Sequence, residues 1–258
     1  MSDVSELKTA AIIPIGNEIL SGKTLDKNSN WIAGKLSEHG VRLREIRVIP
    51  DDKNRIVATV NELRARHNIV ITTGGIGPTH DDITAGSIAD AFGRNLVRHP
   101  QAYETLKSFY GEENLNSGRL KMAMTPEGAS LIDNPVSGAP GFRVDNVYVL
   151  AGVPDIMKAM MTQVLNDIVP GQPFLSKIIA CPFPESRISK ALEDIQNTFP
   201  DIDIGSYPSY RDGAYSVNII ARGQIEQDLM DVEVAVKNML ENHGGPSVDK
   251  TQGHSDAF

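Results

Sequence analysis

The chain has 258 residues, 40% of them apolar and 22% charged, with a formal net charge of −8 and a pI of about 5.3. That length suits one large domain, or a mid-sized domain followed by a small one, and the composition is that of an ordinary soluble globular protein. A surface of this sign repels nucleic acid and anionic membranes unless a basic patch overrides it. The only basic clusters, RLREIR (42–47) and RARH (64–67), read as solvated faces of a strand and a helix. A single cysteine, Cys181, excludes an internal disulfide and a cysteine-based zinc site, which suits a reducing compartment. There is neither a basic segment leading into an apolar one at the start nor a run of about 18 apolar residues. The expectation is a cytoplasmic protein with no nucleic-acid or membrane partner.

In chain order, TAAIIPI (9–15), closed by Gly16, has the continuous apolar character of a buried parallel strand. NSNWIAGKLSEHG (28–40) follows a polar loop and places Ile32, Leu36 and the alkyl part of Lys35 at helical spacing, with Gly40 as the stop. VRLREIRVI (41–49) is a second strand, and DDKNRIVATVNELRARH (51–67) a helix carrying Ile56, Val60 and Leu63 on one stripe. NIVITT (68–73) is a third strand and DDITAGSIADAFG (81–93) a third helix. Strands and helices alternating at this interval predict βαβ units and a sheet covered on both faces.

The middle is less regular. HPQAYETLKSFYG (99–111) and NSGRLKMAM (116–124) read as helices, EGASLIDNP (127–135) and GFRVDNVYVLAG (141–152) as strand pieces. PDIMKAMMTQVLNDIV (154–169) is an amphipathic helix through Met157, Met160, Met161, Val164 and Ile168; methionines at this spacing are core filler before they are metal ligands. PGQP (170–173) marks a boundary, after which strand, helix, strand, strand and helix follow in about 70 residues. The fold class is therefore α/β, with a first domain at 1–171 and a small α+β (βαββα) domain at 172–243. The stretch 244–258 has too few apolar residues to bury and is expected to be a disordered tail. Cys181, in an apolar strand, reads as buried filler rather than a nucleophile.

The chemistry gathers in VITTGGIGPTHDDIT (70–84). The strand ends where open α/β sheets place their ligands. Thr73 and Thr79 flank Gly74, Gly75 and Gly77, which remove side chains so that backbone N–H groups can approach an anion and the chain can take positive φ. A glycine-rich turn alone is equally a tight connection, and this one matches neither a GxGxxG nor a P-loop pattern. Asp81 and Asp82 add to it. One of them can cap the following helix; two carboxylates beside an anion site call for a cation between them, or for one to act as a base. The loop after the first strand offers Asn17, Glu18, Ser21, Lys23, Asp26, Asn28 and Ser29 to the same edge. The loop after the second offers Asp51 and Asp52, with Asp51 equally readable as a helix cap. Lys121 and Arg119 are candidate phosphate neutralisers, and His80 a candidate proton donor.

TTGGIGPTHDDIT, with IGNEIL upstream and AGVPDIM downstream, resembles the molybdopterin-binding family that includes MogA and MoaB. It is more similar still to the amino-terminal part of the CinA-like competence/damage-inducible proteins and to the related domain of eukaryotic FAD synthases. DKNS (26–29), PEGA (126–129), NPV (134–136), APGF (139–142) and GVPDIM (152–157) recur there in this order, over about residues 9 to 170; GSYP (205–208) is similar to the accessory domain that follows. The resemblance implies a three-layer α/β/α fold and a homo-oligomer, dimer or trimer. It places the functional aspartates at Asp82 and Asp51, and APGF brings Pro140 and Gly141 to the ligand. The MogA-like branch implies adenylylation of molybdopterin. The CinA-like branch implies pyrophosphate cleavage in ADP-ribose or FAD-type dinucleotides with a divalent metal (Mg, Mn, Co or Ni), K+ being a further candidate. Three departures stand out: His80 and Asp81 replace basic residues, Asn17 stands where an aspartate is common, and no counterpart of the carboxy-terminal amidase is expected in these residues.

The expectation is thus a metal-dependent pyrophosphatase-type hydrolase acting on a small nucleotide. Asp82, Asp51 and Asp81 are its catalytic carboxylates, with the metal on Asp81 and Asp82. The alternatives are a molybdopterin-binding, adenylyl-transferring protein and a non-catalytic nucleotide-binding protein. RNA binding by the small domain is disfavoured because its YRDGAY turn (210–215) is not a basic clamp and its helices are acidic.

Overall fold

The computed structural model describes residues 7–211 and 214–245, the side chains of 211–215 excepted. The chain divides into two compact units, Met1–Pro173 and Phe174–Phe258.

In the first unit, β1 (Thr9–Pro14), β2 (Arg42–Ile46), β3 (Ile69–Thr73) and β8 (Val147–Leu150) run parallel, joined by the antiparallel strands β7 (Gly141–Val144) and β6 (Ser130–Ile132). The order across the sheet is β2-β1-β3-β8-β7-β6. Side chains alternate through it. Ala10 and Ile12 of β1 face one layer, where Ile32 and Leu36 of α2 (Asn28–Glu38) meet Met157, Met160, Met161 and Val164 of α7 (Pro154–Asp167). Ala11 and Ile13 face the other, against Ile56, Val60 and Leu63 of α3 (Lys53–Arg66) and Ile88 of α4 (Thr84–Ala91). Both layers are fully buried, and each enclosed Ile, Leu or Met contributes about 1.5–3 kcal/mol relative to exposure. This two-sided cover is why the strands read as continuous apolar runs. A satellite of β4 (Leu96–Arg98), β5 (Met124–Pro126), α5 (Pro100–Tyr110) and α6 (Ser117–Lys121) closes over Ala102, Leu106 and Ala123.

The second unit is an antiparallel sheet in the order β10 (Asp203–Arg211), β11 (Ala214–Gly223), β9 (Leu175–Cys181), with α8 (Glu185–Thr198) and α9 (Glu226–Asn242) around one core. Cys181 is buried there, its Sγ 3.4 Å from the Phe183 carbonyl oxygen.

Several local expectations are corrected. The polar loop after β1 contains a one-turn helix, α1 (Asn17–Leu20). The third helix starts at Thr84 rather than Asp81, because Asp82 closes a turn onto Thr79 instead of entering the helix. The second strand ends at Ile46, with Ile49 making only an isolated bridge to Ile15. The Lys35 ammonium, beyond the alkyl stem, pairs with Glu38 at 2.6 Å. Gly244 and Gly245, the start of the expected tail, still bond the carbonyls of Glu241 and Leu240; the remainder, 246–258, and the tip of the YRDGAY turn lie outside the described residues.

Candidate functional site

The glycine loop leaves β3 at the carboxyl end of the parallel strands. Gly74 and Gly75 have φ of +102° and +69°, and a Cβ on either would run into the Ile15 carbonyl oxygen or the Thr84 hydroxyl. Both positions therefore require glycine for conformation and for space. The loop is pinned from three sides. Gly74 N–H donates to the Leu150 carbonyl at 3.0 Å, Thr84 N–H donates to the Gly75 carbonyl at 3.0 Å, and the Thr84 hydroxyl donates to the Gly74 carbonyl at 3.1 Å. The N–H groups of Gly75, Ile76 and Gly77 carry no hydrogen bond to any described residue.

Four carboxylates join them around one cavity of about 470 Å³: Glu18, Asp51, Asp81 and Asp82. Among the described residues no lysine, arginine or histidine side chain lines it. Asp82 Oδ2 accepts from Thr79 N–H at 2.7 Å and from the Thr79 hydroxyl, leaving Oδ1 without a partner among the described residues. Asp81, largely exposed, is held below the usual carboxylate range by the Thr79 hydroxyl first and its own backbone N–H second, with smaller help from His80 and Lys121. Thr79 has one hydroxyl proton, which the geometry gives to Asp82; Asp81 lies within its reach.

Asp51 and Asp52 divide the roles that sequence left open. Asp52 caps α3, its Oδ1 accepting from Arg55 N–H at 2.8 Å. Asp51 Oδ2 instead accepts from Asn17 N–H at 2.9 Å, tying the loop after β1 to the loop after β2 at the cavity wall. Neither Asp81 nor Asp82 caps α4, whose N-cap Ile83 offers no side-chain acceptor.

Other expected residues are distributed around this centre. Thr73, Asn28 and Lys23 line an adjoining hollow of about 440 Å³ that shares Glu18 and Gly152 with the first. Asn28 donates to the Gly152 carbonyl at 2.7 Å, and Ser29 N–H to Asp26 at 3.0 Å. The Ser29 hydroxyl is buried without a partner and lines none of the hollows. Lys121 reaches back to donate to the Thr79 carbonyl and lines a third, apolar hollow together with Pro140. Gly141 sits in β7 with the Val149 carbonyl 2.5 Å from where a Cβ would stand, so its role is sheet packing. Arg119 bonds the Asn114 carbonyl at 2.6 Å and stacks on Tyr110, away from the loop. The His80 side chain is 99% exposed and lines no hollow. Met122 lines the cavity without having been picked out in the sequence, and Asn134 and Ile156, quoted there only within the NPV and GVPDIM motifs, line it too; Asn134 uses its whole amide to fold the 134–139 loop at the cavity edge.

Among the described residues no three His, Cys, Asp or Glu side chains converge as a metal cage. The unbalanced carboxylates and the free Asp82 oxygen fit a cation that draws its remaining ligands from a bound molecule.

The family described as probable molybdopterin binding domain matches residues 11–175. The chain belongs to that family. A second family, the FAD synthase middle domain, matches 173–247. A protein of Aeropyrum pernix is 35% identical over 216 residues, covering 80% of this chain and 81% of that one. One of Thermococcus kodakarensis is 37% identical over 214 residues, covering 77% and 85%. The crystal structure of CinA from Thermoplasma acidophilum superposes with a TM-score of 0.60 at 36% identity, over 63% of this chain and 99% of that one. The molybdopterin-binding domain is thus of the CinA-like kind and carries a small α+β domain after it. Among the described residues no helix is long and apolar enough to cross a membrane.

Proposed function

We propose that the molybdopterin-binding domain cleaves the diphosphate bond of nucleoside-diphosphate-linked metabolites, of the ADP-ribose or FAD class, with a divalent metal (Mg, Mn, Co or Ni) held at Asp81 and Asp82. One observation carries this reading: among the described residues, three unpaired loop N–H groups and four carboxylates line a single cavity that no cationic side chain lines. Each N–H bond to a phosphate oxygen contributes about 1.5–3 kcal/mol. One unpaired carboxylate about 4 Å away opposes the phosphate by about 4 kcal/mol at an effective dielectric of 20. The carboxylates around the loop oppose an anion on its N–H groups, and a cation beside them relieves that opposition. Bound there, a divalent ion supplies that neutralisation and a water of lowered pKa. The protein's part is to orient the phosphoryl oxygens on Gly75, Ile76 and Gly77 and to hold Asp82 through Thr79. Asp51, fixed by Asn17, presents its second oxygen as a proton acceptor.

The test is AMP release from ADP-ribose and FAD with each metal, with and without K+. Turnover that disappears in Asp82→Ala supports the reading; no turnover with any metal overturns it. The family match favours a second reading, molybdopterin binding, to which the resemblance to MogA adds adenylyl transfer. Titration with a pterin and with ADP-ribose, and ATP consumption, separate the two. Nucleotide binding without turnover would leave a non-catalytic binding protein. The quaternary state consistent with these readings is a homo-oligomer, dimer or trimer, in the cytoplasm, which sedimentation and fractionation test.

A further inference from the structure

The outer strands of a sheet carry unpaired N–H and C=O groups, and proteins guard such edges with charges, proline or short length. Among the described residues the two larger sheets end in β2, β6, β10 and β9. β2 reads RLREI, with Arg42, Arg44 and Glu45 along it. β6 has only three residues, and β10 contains Pro208. β9, LSKIIAC, has seven residues, neither proline nor glycine, and one charge, Lys177. That charge is drawn onto the helix layer, its Nζ 3.6 Å from Glu233 of α9. β9 pairs with β11 alone, so every second N–H and C=O along it points outward. None of these outward groups meets a described partner.

The helix layer continues the same flank. Glu233 also pairs with Lys237 at 2.6 Å, and helical spacing puts Met230 and Val234 on the side of α9 that carries these two. Because Glu233 reaches Lys177, that side overlooks β9, while α8 packs over β10. Met230 is 41% exposed and Val234 57%, as is Ile178 on the other face of β9. Val234 is the central residue of α9 and Ile178 that of β9, and the Lys177–Glu233 pair sets one centre over the other.

We propose that this flank of the small domain is an interface between two copies of the chain, β9 pairing antiparallel with its counterpart about a two-fold axis at Ile178. That register uses all seven residues: Ile178 meets its counterpart, Ser176 meets Ala180, Leu175 meets Cys181 and Lys177 meets Ile179. The two three-stranded sheets become one of six strands, and the α9 helices lie side by side with Met230 and Val234 between them. A second copy suits the flank better than a foreign strand because the match is self-made. Apolar centre meets apolar centre in both layers, and Glu233 neutralises Lys177 and Lys237 within each copy. Two layers about 25 Å long and together about 20 Å deep present about 500 Å² per copy before side-chain relief, close to the ~600 Å² per partner at which specific dimers begin. The proposal does not depend on what the acidic cavity binds.

Oxidative cross-linking and sedimentation of the full chain test it. Residues directly opposite in an antiparallel pair lie about 4.5–5.5 Å apart at Cα, within disulfide reach. With diamide as oxidant, Ile178→Cys is expected to form an intermolecular disulfide across the axis. Tyr207→Cys, at a position equally exposed but on β10, is expected to cross-link at least tenfold more slowly; the native Cys181 is buried. Ile178→Lys and Val234→Lys, both at exposed positions, should each weaken association at least tenfold and leave the circular dichroism unchanged. An interface elsewhere in the chain would keep its own step in mass, so the expected change is a halving at a given concentration. Equal mass for the parent and both lysine variants at every concentration overturns the interface. So does cross-linking of Ile178→Cys no faster than that of Tyr207→Cys.

Discussion

The Asp82 carboxylate rests against the Cα of Gly77: a Cβ there would stand 2.7 Å from Oδ2 and 3.0 Å from Oδ1. Gly77 is not among the positive-φ glycines, so what it supplies is room for that carboxylate rather than an unusual backbone. Gly77→Ala should push Asp82 aside and lower ADP-ribose turnover by about 100-fold, the scale of a displacement of roughly 1 Å at a reacting group. Gly86→Ala, inside α4, where the new Cβ meets only Leu96 Cδ2 in ordinary contact at 3.8 Å, should leave the loop intact and gain up to about 1 kcal/mol from helix propensity. Initial rates and thermal melts on the two variants check this contrast.

Gly75→Ala should behave differently from Gly77→Ala. Here φ is +69° and the new methyl meets the Thr84 hydroxyl, which also holds the Gly74 carbonyl. The expected cost is about 1–3 kcal/mol of folding stability, seen as a lower denaturant midpoint, together with lost ligand binding.

The neighbouring aspartates should separate stability from function. Asp52→Ala removes the cap of α3 and should cost about 1 kcal/mol with turnover retained. Asp51→Ala frees the Asn17 N–H and removes a cavity carboxylate, so turnover should fall while α3 keeps its cap. Equal loss of activity in both would contradict this assignment.

His67 should make folding stability pH-dependent. Burial first, and the Arg66 charge second, push its imidazole below the ordinary 6.5, with Arg44 adding to this and Glu45 pulling upward. Its Nδ1 lies 3.4 Å from the Thr9 hydroxyl and its Nε2 is buried without a partner. The unfolded chain therefore binds a proton more readily than the folded one. This contribution is present above the unfolded value and is lost as pH falls through 6.5 toward the folded value. Denaturant midpoints should drop over that window in the parent and less steeply in His67→Gln.

Much of the sheet was legible because burial on both faces writes a strand as an unbroken apolar run, as in Ala10 to Ile13 and Val147 to Leu150. The glycine loop and its aspartates were legible for a related reason: bare backbone and paired acids have few structural uses together. What sequence could not assign depends on partners distant along the chain. Asp51 differs from Asp52 only because Asn17 comes to one and Arg55 to the other. Lys121 bonds the Thr79 carbonyl across 42 residues, so its pairing has no local signature. The start of α4 was misplaced because a Thr-to-Asp turn and a capped helix entrance use the same residue types. The apolar hollow has no sequence signature because Met122 only caps the five-residue α6 and Met124 starts the three-residue β5, too short for a readable period.

The measurement that bears most directly on the acidic, glycine-lined cavity is calorimetric titration of ADP-ribose into the full chain with Mn²⁺ and with chelator. Binding that appears only with the metal and vanishes in Asp82→Ala is the predicted result. Binding of equal strength in chelator, unaffected by loss of Asp82, would contradict it.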